Sequence, residues 1–334
     1  MRLLVTGGAG FIGSNFIHYI LNKYPDWQVT NLDKLTYAGN LENLKDIESH
    51  PGYRFIKGDI ADRKLVNELI GNKFEIIVNF AAESHVDRSI LDASPFIETN
   101  IRGTQVMLEG IRQHPVKKFI QVSTDEVYGS IESGSFTETS PMSPSSPYSA
   151  SKAAADLLCL AYYRTYNLPV LITRSSNNFG PYQFPEKLIP LAITNALEGK
   201  PIPVYGDGLN IRDWIYVEDH CRALEAVIQK GQPGQIYNIA ADQERANLEL
   251  LNILLDVLGK PKELLTFVAD RPGHDRRYAL DISKITHKLG WNPSHAFEKT
   301  LKDTVNWYVS HEPWWRQIKS GEYAKYYERM YLNR

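Results

Sequence analysis

Short apolar or β-branched runs alternate along the first half of the chain with longer stretches of helical periodicity. Leu3 to Thr6 is followed by Phe11 to Lys23, Gln28 to Leu32 by a helix around Leu41 to Ile47, and Tyr53 to Ile56 by Leu65 to Ile70. The rhythm continues with Glu75 to Phe80, a helical stretch to about Gln113, Lys118 to Ser123, Tyr148 to Tyr166 and Pro169 to Thr173. Alternation of this kind predicts parallel strands joined by crossover helices and covered on both faces, a doubly wound Rossmann-type α/β sheet. After about Ser175 prolines crowd in at Pro181, Pro185, Pro190, Pro201 and Pro203, and the pattern predicts a smaller α/β domain. Ile236 to Ile239 again has the character of a buried strand, so the chain is expected to return to the first sheet. The expected division is 1–175 with return segments about 211–240, against a discontinuous second domain of about 176–210 and 241–334. No short-period repeat suggests a solenoid or propeller.

Composition narrows the partners. The 334 residues carry 37 Lys and Arg against 39 Asp and Glu, a net charge of −2, and 43% are hydrophobic. Near-neutrality excludes the large basic surface expected of a protein whose main partner is nucleic acid or an anionic membrane. No apolar run reaches the roughly 20 residues a membrane helix needs, and Met1 to Gly10 lacks the pattern of a signal peptide. Cys159 and Cys221 both fall in helical segments and read as buried free thiols, which fits a reducing compartment. The expectation is a cytoplasmic protein with a small-molecule partner.

Gly7, Gly10 and Gly13 lie between the first strand and the first helix, spaced Gly-x-x-Gly-x-x-Gly. That is the context of a dinucleotide fingerprint: Gly7 for a tight turn, Gly10 for close approach of a pyrophosphate, and Gly13 for helix packing, with free helical N–H groups facing the anion. Asp33 ends the second strand 20 residues after Gly13, where a carboxylate takes the ribose hydroxyls and repels a 2′-phosphate, favouring NAD over NADP. Lys34 beside it blunts that repulsion. Asp59 and Ile60, after the third strand, are placed to meet the adenine edge.

Tyr148 and Lys152 are four residues apart on one helix face. Bringing a phenol from a pKa near 10 to neutrality requires about 4 kcal/mol of preferential phenolate stabilisation. An ammonium at about 5 Å supplies about 3 kcal/mol of it at an effective dielectric near 20. After a glycine fingerprint, this pair indicates hydride transfer at an alcohol carbon. Thr124, Asp125 and Glu126 end the strand Lys118 to Ser123. Strand alternation would send two adjacent carboxylates to opposite faces, so for both to serve one substrate the backbone must leave strand geometry there.

Together these motifs resemble the extended short-chain dehydrogenase/reductase family of nucleotide-sugar enzymes. Ala81 to Asp87, Ser123 to Gly129, Ser176 to Tyr182 and Arg271 to Asp275 resemble its 4,6-dehydratases, in unbroken order from Met1 to about Tyr308. The resemblance implies a lyase using NAD, with dTDP-glucose as substrate and a homodimer through the helices around Thr99 to Gln113 and Tyr148 to Tyr166. It implies a product of the deoxysugar type, such as feeds dTDP-rhamnose synthesis. It assigns Tyr148, with Lys152, to take the C4 hydroxyl proton as hydride leaves C4, and Thr124 to hydrogen-bond the C4 oxygen. Glu126 is the implied base at C5, and Asp125 the implied acid that releases the C6 hydroxyl as water before hydride returns to C6. Such roles demand one anionic and one neutral carboxyl side by side.

By the same resemblance Phe11, Ile12, Lys34, Leu35, Thr36, Phe80, Ala81, Ala82, Glu83, Ser84, Thr99 and Asn178 are cofactor contacts. Ser84, Asn177, Lys187, Leu188, Pro203, Val204, Tyr205, Arg212, Asn247, Asp270, Arg271, Pro272, Gly273 and His274 are implied substrate contacts. Arg212 and Arg271 suit a diphosphate because a guanidinium grips phosphate oxygens as a fork. No His or Cys spacing points to a metal. The nearest alternatives are a UDP-sugar 4-epimerase, a UDP-glucuronate decarboxylase and a GDP-mannose 4,6-dehydratase. Epimerases need no carboxylate pair, and the other two typically carry Thr-Ser-Glu, so Asp125 is the discriminating residue. A catalytically silent NAD-sensing regulator is the alternative of another class, and it would be expected to have lost Tyr148 or Lys152. The loop from Gly129 to Tyr148 is shorter than in some enzymes of this type.

Overall fold

The computed structural model describes residues 1–320, so the end of the second domain's expected range, 321–334, lies outside the described residues. Twelve strands run in chain order: β1 Arg2–Thr6, β2 Gln28–Asp33, β3 Tyr53–Lys57, β4 Ile76–Asn79, β5 Lys118–Thr124, β6 Val170–Ser175, β7 Asn177–Phe179, β8 Ile202–Tyr205, β9 Ile211–Tyr216, β10 Ile236–Ile239, β11 Glu244–Ala246 and β12 Leu265–Val268. Seven of them form one parallel sheet in the order β10-β6-β5-β4-β1-β2-β3.

The alternation of side chains across each strand feeds two separate cores. Leu3, Val5, Ile120 and Val122 face the helices Phe11–Lys23 and Val217–Lys230, whereas Leu4, Ile77 and Phe119 face Arg63–Ile70, Thr104–Gln113 and Pro147–Tyr166. Strand order reverses between β1 and β4, each leading outward to its own side, and this opens a crevice at the carboxyl ends of the strands. The glycine loop after β1, the Phe80 to Ser84 segment after β4 and the end of β5 all meet there.

The expected return over 211–240 is divided. β9 pairs with β7 and β11 in a three-stranded sheet, and Trp214 packs in a third core with Phe179, Leu251 and Trp315. Only the helix Val217–Lys230 and β10 join the large sheet, because Val217, Leu224 and Val227 supply an apolar face to it. The helix Ser283–Leu289, expected in the second domain, likewise buries Ile285 and Leu289 against the first. The helical stretch expected up to Gln113 is broken into shorter pieces, including a π-helical turn at Ile97–Gly103.

Two local devices aim the candidate catalytic side chains. Ser146 caps the helix Pro147–Tyr166 in a reciprocal capping box with Ser149, with Pro147 at the first position, so Tyr148 sits in a well-fixed first turn. At the end of β5 the chain turns into a 3₁₀ helix, Asp125–Tyr128, where the Thr124 hydroxyl accepts the Glu126 N–H at 3.2 Å and Gly129 closes the turn at φ +81. Asp125 and Glu126 therefore leave strand geometry and reach the same crevice.

Candidate active site

The crevice holds a cavity of about 300 Å³. Gly7, Gly10, Phe11, Ile12, Gly13, Asp33, Lys34, Thr36, Asp59, Ile60, Phe80 to Ser84, Thr99 and Asn178 line it, as do Thr124, Asp125, Glu126, Tyr148 and Lys152. Gly7 adopts φ +71, and a side chain there would meet the Ala81 backbone nitrogen at 2.6 Å. A Cβ on Gly13 would collide with the Gly7 carbonyl oxygen, while one on Gly10 would find only that oxygen, at 3.3 Å. Gly10 thus presents an open backbone to the cavity at the start of a helix, the arrangement that accepts an anion.

Asp33 is buried, and its two oxygens accept the N–H groups of Ala9 at 2.9 Å and Leu35 at 2.8 Å. Leu35 departs from expectation: it does not line the cavity, and its role is to turn at φ +58 so that its N–H caps Asp33. Lys34 pairs with Asp59 at 2.7 Å. The cation that would have blunted repulsion of a 2′-phosphate is already neutralised, which favours a dinucleotide with a free 2′-hydroxyl. These features fit NAD on the glycine cradle, with Asp33 at the ribose.

Among the catalytic candidates the charges are unequal. Asp125 is 3% exposed, and burial, reinforced by Glu126, pushes its carboxyl up to about 8. Thr124 Oγ1 donates to Asp125 Oδ1 at 3.1 Å, and Oδ2 is buried without a hydrogen bond. Glu126 is also raised by burial, but Arg271, Lys187 and Arg212 oppose the rise. Near neutrality the first is a proton carrier and the second faces three cations. That is the pair of unlike environments the chemistry requires.

The Tyr148 phenol is raised well above its ordinary value by burial and then by Glu126, with the Thr124 hydroxyl lowering it. Lys152 is lowered to about 8 by burial, and its Nζ donates to the Val122 carbonyl at 2.6 Å. One of the three ammonium donors is thus spent on a backbone oxygen of β5, which holds Lys152 on the face of the helix that carries Tyr148.

Of the expected substrate residues, Ser84, Thr124, Asn177 and Lys187 line the cavity. Leu188, Pro203, Val204, Tyr205, Arg212, Asn247, Asp270, Arg271, Pro272, Gly273 and His274 do not. Arg212 is buried, lies over the Tyr278 ring at 4.2 Å and donates to the carbonyls of Ile211, Asp275 and Arg276, so its fork is occupied by backbone. Arg271 stands 3.8 Å from Asp87, whose other oxygen accepts the Tyr205 hydroxyl at 2.9 Å. Sequence reasoning missed Gln183, Phe184 and Glu186, which line the cavity just before Lys187. Extending the Ser176 to Tyr182 motif by four residues would have found them. It also missed Asn100, whose amide brackets the Glu83 backbone at 2.9 and 3.0 Å and reaches Ser151 on the Tyr148 helix.

Residues 4–304 match the family model described as GDP-mannose 4,6 dehydratase, and the chain belongs to that family of nucleotide-sugar enzymes within the extended short-chain dehydrogenase/reductases. Its similarity is high to particular members. The dTDP-glucose 4,6-dehydratase of Actinoplanes sp. is 49% identical, with 94% of this chain and 100% of the relative covered. The low-salt glycan biosynthesis protein Agl12 of Haloferax volcanii is 53% identical, with 92% and 99% covered. Among solved structures, the dTDP-glucose 4,6-dehydratase DesIV of Streptomyces venezuelae, crystallised with NAD and TYD, superposes at TM-score 0.94 and 52% identity, covering 96% of this chain and 100% of that one.

Proposed function

We propose that this chain catalyses the NAD-dependent dTDP-glucose 4,6-dehydratase reaction, giving dTDP-4-keto-6-deoxyglucose and water. The observation that carries the reading is the Asp125–Glu126 pair, a neutral carboxyl beside one facing cations, on a turn that aims both at one cavity. The full-length similarity to dTDP-glucose 4,6-dehydratases supports the choice of substrate and of NAD. An epimerase eliminates nothing and has no use for a buried protonated Asp125.

When bound, NAD would accept the hydride from C4 and give it back to C6 after water has left, its oxidised ring carrying a positive charge. Tyr148, as the phenolate that the charged ring and the Lys152 ammonium on the same helix face would stabilise, takes the C4 hydroxyl proton, and Thr124, which also contacts the phenol, holds the C4 oxygen. Glu126 removes the C5 proton that the neighbouring C4 ketone has made acidic and gives it back to C5 as the hydride reaches C6. Asp125 delivers the proton from its carboxyl to the departing C6 hydroxyl. Lys152, anchored at Val122, fixes the helix face that presents Tyr148. Lys187, Arg212 and Arg271 supply the positive field for Glu126.

Among the described residues no helix is long and apolar enough to cross a membrane. The buried free thiols of Cys159 and Cys221 support a cytoplasmic site of action. Exposed Ile97 and Leu157, at 55% each, support a homodimer through the helices that carry them. Sedimentation at twice the chain mass is the expected result, and a monomer would refute it. Incubation with dTDP-glucose, UDP-glucose and GDP-mannose followed by mass analysis tests the reaction: loss of one water from the first is expected, and no loss from any of the three would sink the dehydratase reading.

A further inference from the structure

The helix Glu312–Lys319 lies beyond the span matched by the family model and contributes nothing to the cavity lining. It nevertheless reaches the cofactor loop through one buried amide. The Trp314 indole N–H donates to Asn43 Oδ1 at 2.9 Å, and Asn43 Nδ2 donates to the Ala9 carbonyl at 3.0 Å. Because an indole nitrogen only donates, it dictates which end of the amide faces it and leaves Nδ2 for Ala9. Asn43 is 1% exposed, so neither end has water as a substitute. Ala9 sits between Gly8 and Gly10. Its N–H is held by Asp33 at 2.9 Å, and its carbonyl also receives the Asn40 N–H at 3.0 Å.

The same indole lies edge-on to Trp307 at 5.1 Å and to Tyr182 at 6.2 Å, and Tyr182 stacks on His18 of the first helix at 5.8 Å. Tyr182 directly precedes Gln183 and Phe184 of the cavity wall. One side chain near the C-terminus thus ties the floor of the cofactor crevice to its opposite wall. Gly7, Gly8, Gly10 and Gly13 would otherwise leave the loop among the most freely varying parts of the backbone, and a loop that must be ordered on binding lowers apparent affinity by the fraction of time it is competent.

We propose that Trp314 and Asn43 are positioning residues for the dinucleotide, holding the glycine loop in its binding conformation before NAD arrives. The inference rests on NAD being the cofactor, and not on the identity of the sugar nucleotide.

Trp314→Phe keeps the ring packing and removes the donor. In the full chain, calorimetric titration with NAD is expected to show about fivefold to tenfold weaker binding, the size of one lost hydrogen bond with a stranded buried acceptor. Asn43→Ala is expected to weaken binding similarly, and adding Trp314→Phe to it should change nothing more, since the relay is already cut. Linkage requires the reverse effect as well: NAD should slow hydrogen exchange of the amides in 312–319 of the unmodified protein. Wild-type NAD affinity in Trp314→Phe, losses that multiply in the double variant, or exchange in 312–319 unmoved by NAD would each overturn the proposal. Absence of NAD binding to the unmodified protein would instead refute the cofactor assignment.

Discussion

Replacing Asp125 by asparagine separates two quantities the site couples, stability and elimination. The carboxyl is lifted from an ordinary 3.8 to about 8, with burial as the largest cause and Glu126 as the second. A raised carboxyl contributes full stability below its unfolded value, and that contribution is lost as pH rises toward the folded value, because the unfolded chain can ionise and the folded one cannot. At 1.36 kcal/mol per unit, the native state at pH 7 is held about 4 kcal/mol below what a non-titrating residue would allow. Asparagine keeps the shape and an acceptor for the Thr124 hydroxyl, and it does not titrate. Asp125→Asn is therefore expected to be the more stable protein, by a margin that widens by about 4 kcal/mol between pH 5 and pH 8.

The same substitution removes the proton given to the leaving hydroxyl, which costs about 10² to 10⁴ in rate if Asp125 is the general acid. Oxidation at C4 does not use that proton and should be nearly preserved. Rapid mixing with substrate, followed by the absorbance of reduced nicotinamide, should show the variant accumulating reduced cofactor with no release of dehydrated product. In the parent enzyme, kcat/KM should fall as pH rises through about 8, and the variant should lose that limb. A stability gap that does not vary with pH would refute the protonation argument. Equal slowing of oxidation and elimination would refute the catalytic one.

Tyr148→Phe is expected to abolish transfer of deuterium from C4 of the substrate to the cofactor, and retained turnover would overturn the proton-transfer scheme. Asp33→Ser removes the carboxylate that holds Ala9 and Leu35 and should weaken NAD about tenfold while narrowing its advantage over NADP, as read by fluorescence titration with both. Arg174→Met strands Asp156, with which Arg174 forms a buried pair at 2.9 Å, and should destabilise by about 3 to 5 kcal/mol. The double variant with Asp156→Leu should recover most of that loss in chemical unfolding.

Local signals were the most legible ones. Gly7, Gly10, Gly13 and Asp33 could be placed because a strand, a tight turn and a helix start follow one another within a few residues, and the structure puts all four on the cavity. Tyr148 and Lys152 were legible as a helical pair, but the partner of Lys152 was not, since Val122 is 30 residues away and belongs to a strand whose register the sequence does not reveal. Departure of Asp125 and Glu126 from strand geometry followed from requiring both on one substrate, and the 3₁₀ turn at Asp125–Tyr128 meets that requirement. Asn43 and Asn100 had no signal of their own, and Asp87 only the last place in the Ala81 to Asp87 motif, with no role attached. Each is a single polar residue in an amphipathic stretch, and its use depends on a partner brought in by the tertiary fold.

Asp87 shows why the substrate side was harder to read than the cofactor side. The glycine loop, Asp33 and the Phe80 to Ser84 segment are all placed by strands of one sheet, whereas many of the expected substrate residues lie on segments after Ser175 that must be held against it. Asp87, buried at the start of the helix Val86–Leu91, accepts the Tyr205 hydroxyl and faces Arg271, so one carboxylate from the first domain sets the place of two residues from the second. Arg271 is in turn the largest of the influences that oppose the upward shift burial imposes on Glu126. The contact of Arg271 with Asp87 and the electrostatic setting of Glu126 are therefore linked through the same guanidinium. A net charge of only −2 is no guide to such a site, where a few buried charges, Asp87, Asp125 and Glu126 against Arg212 and Arg271, set the electrostatics.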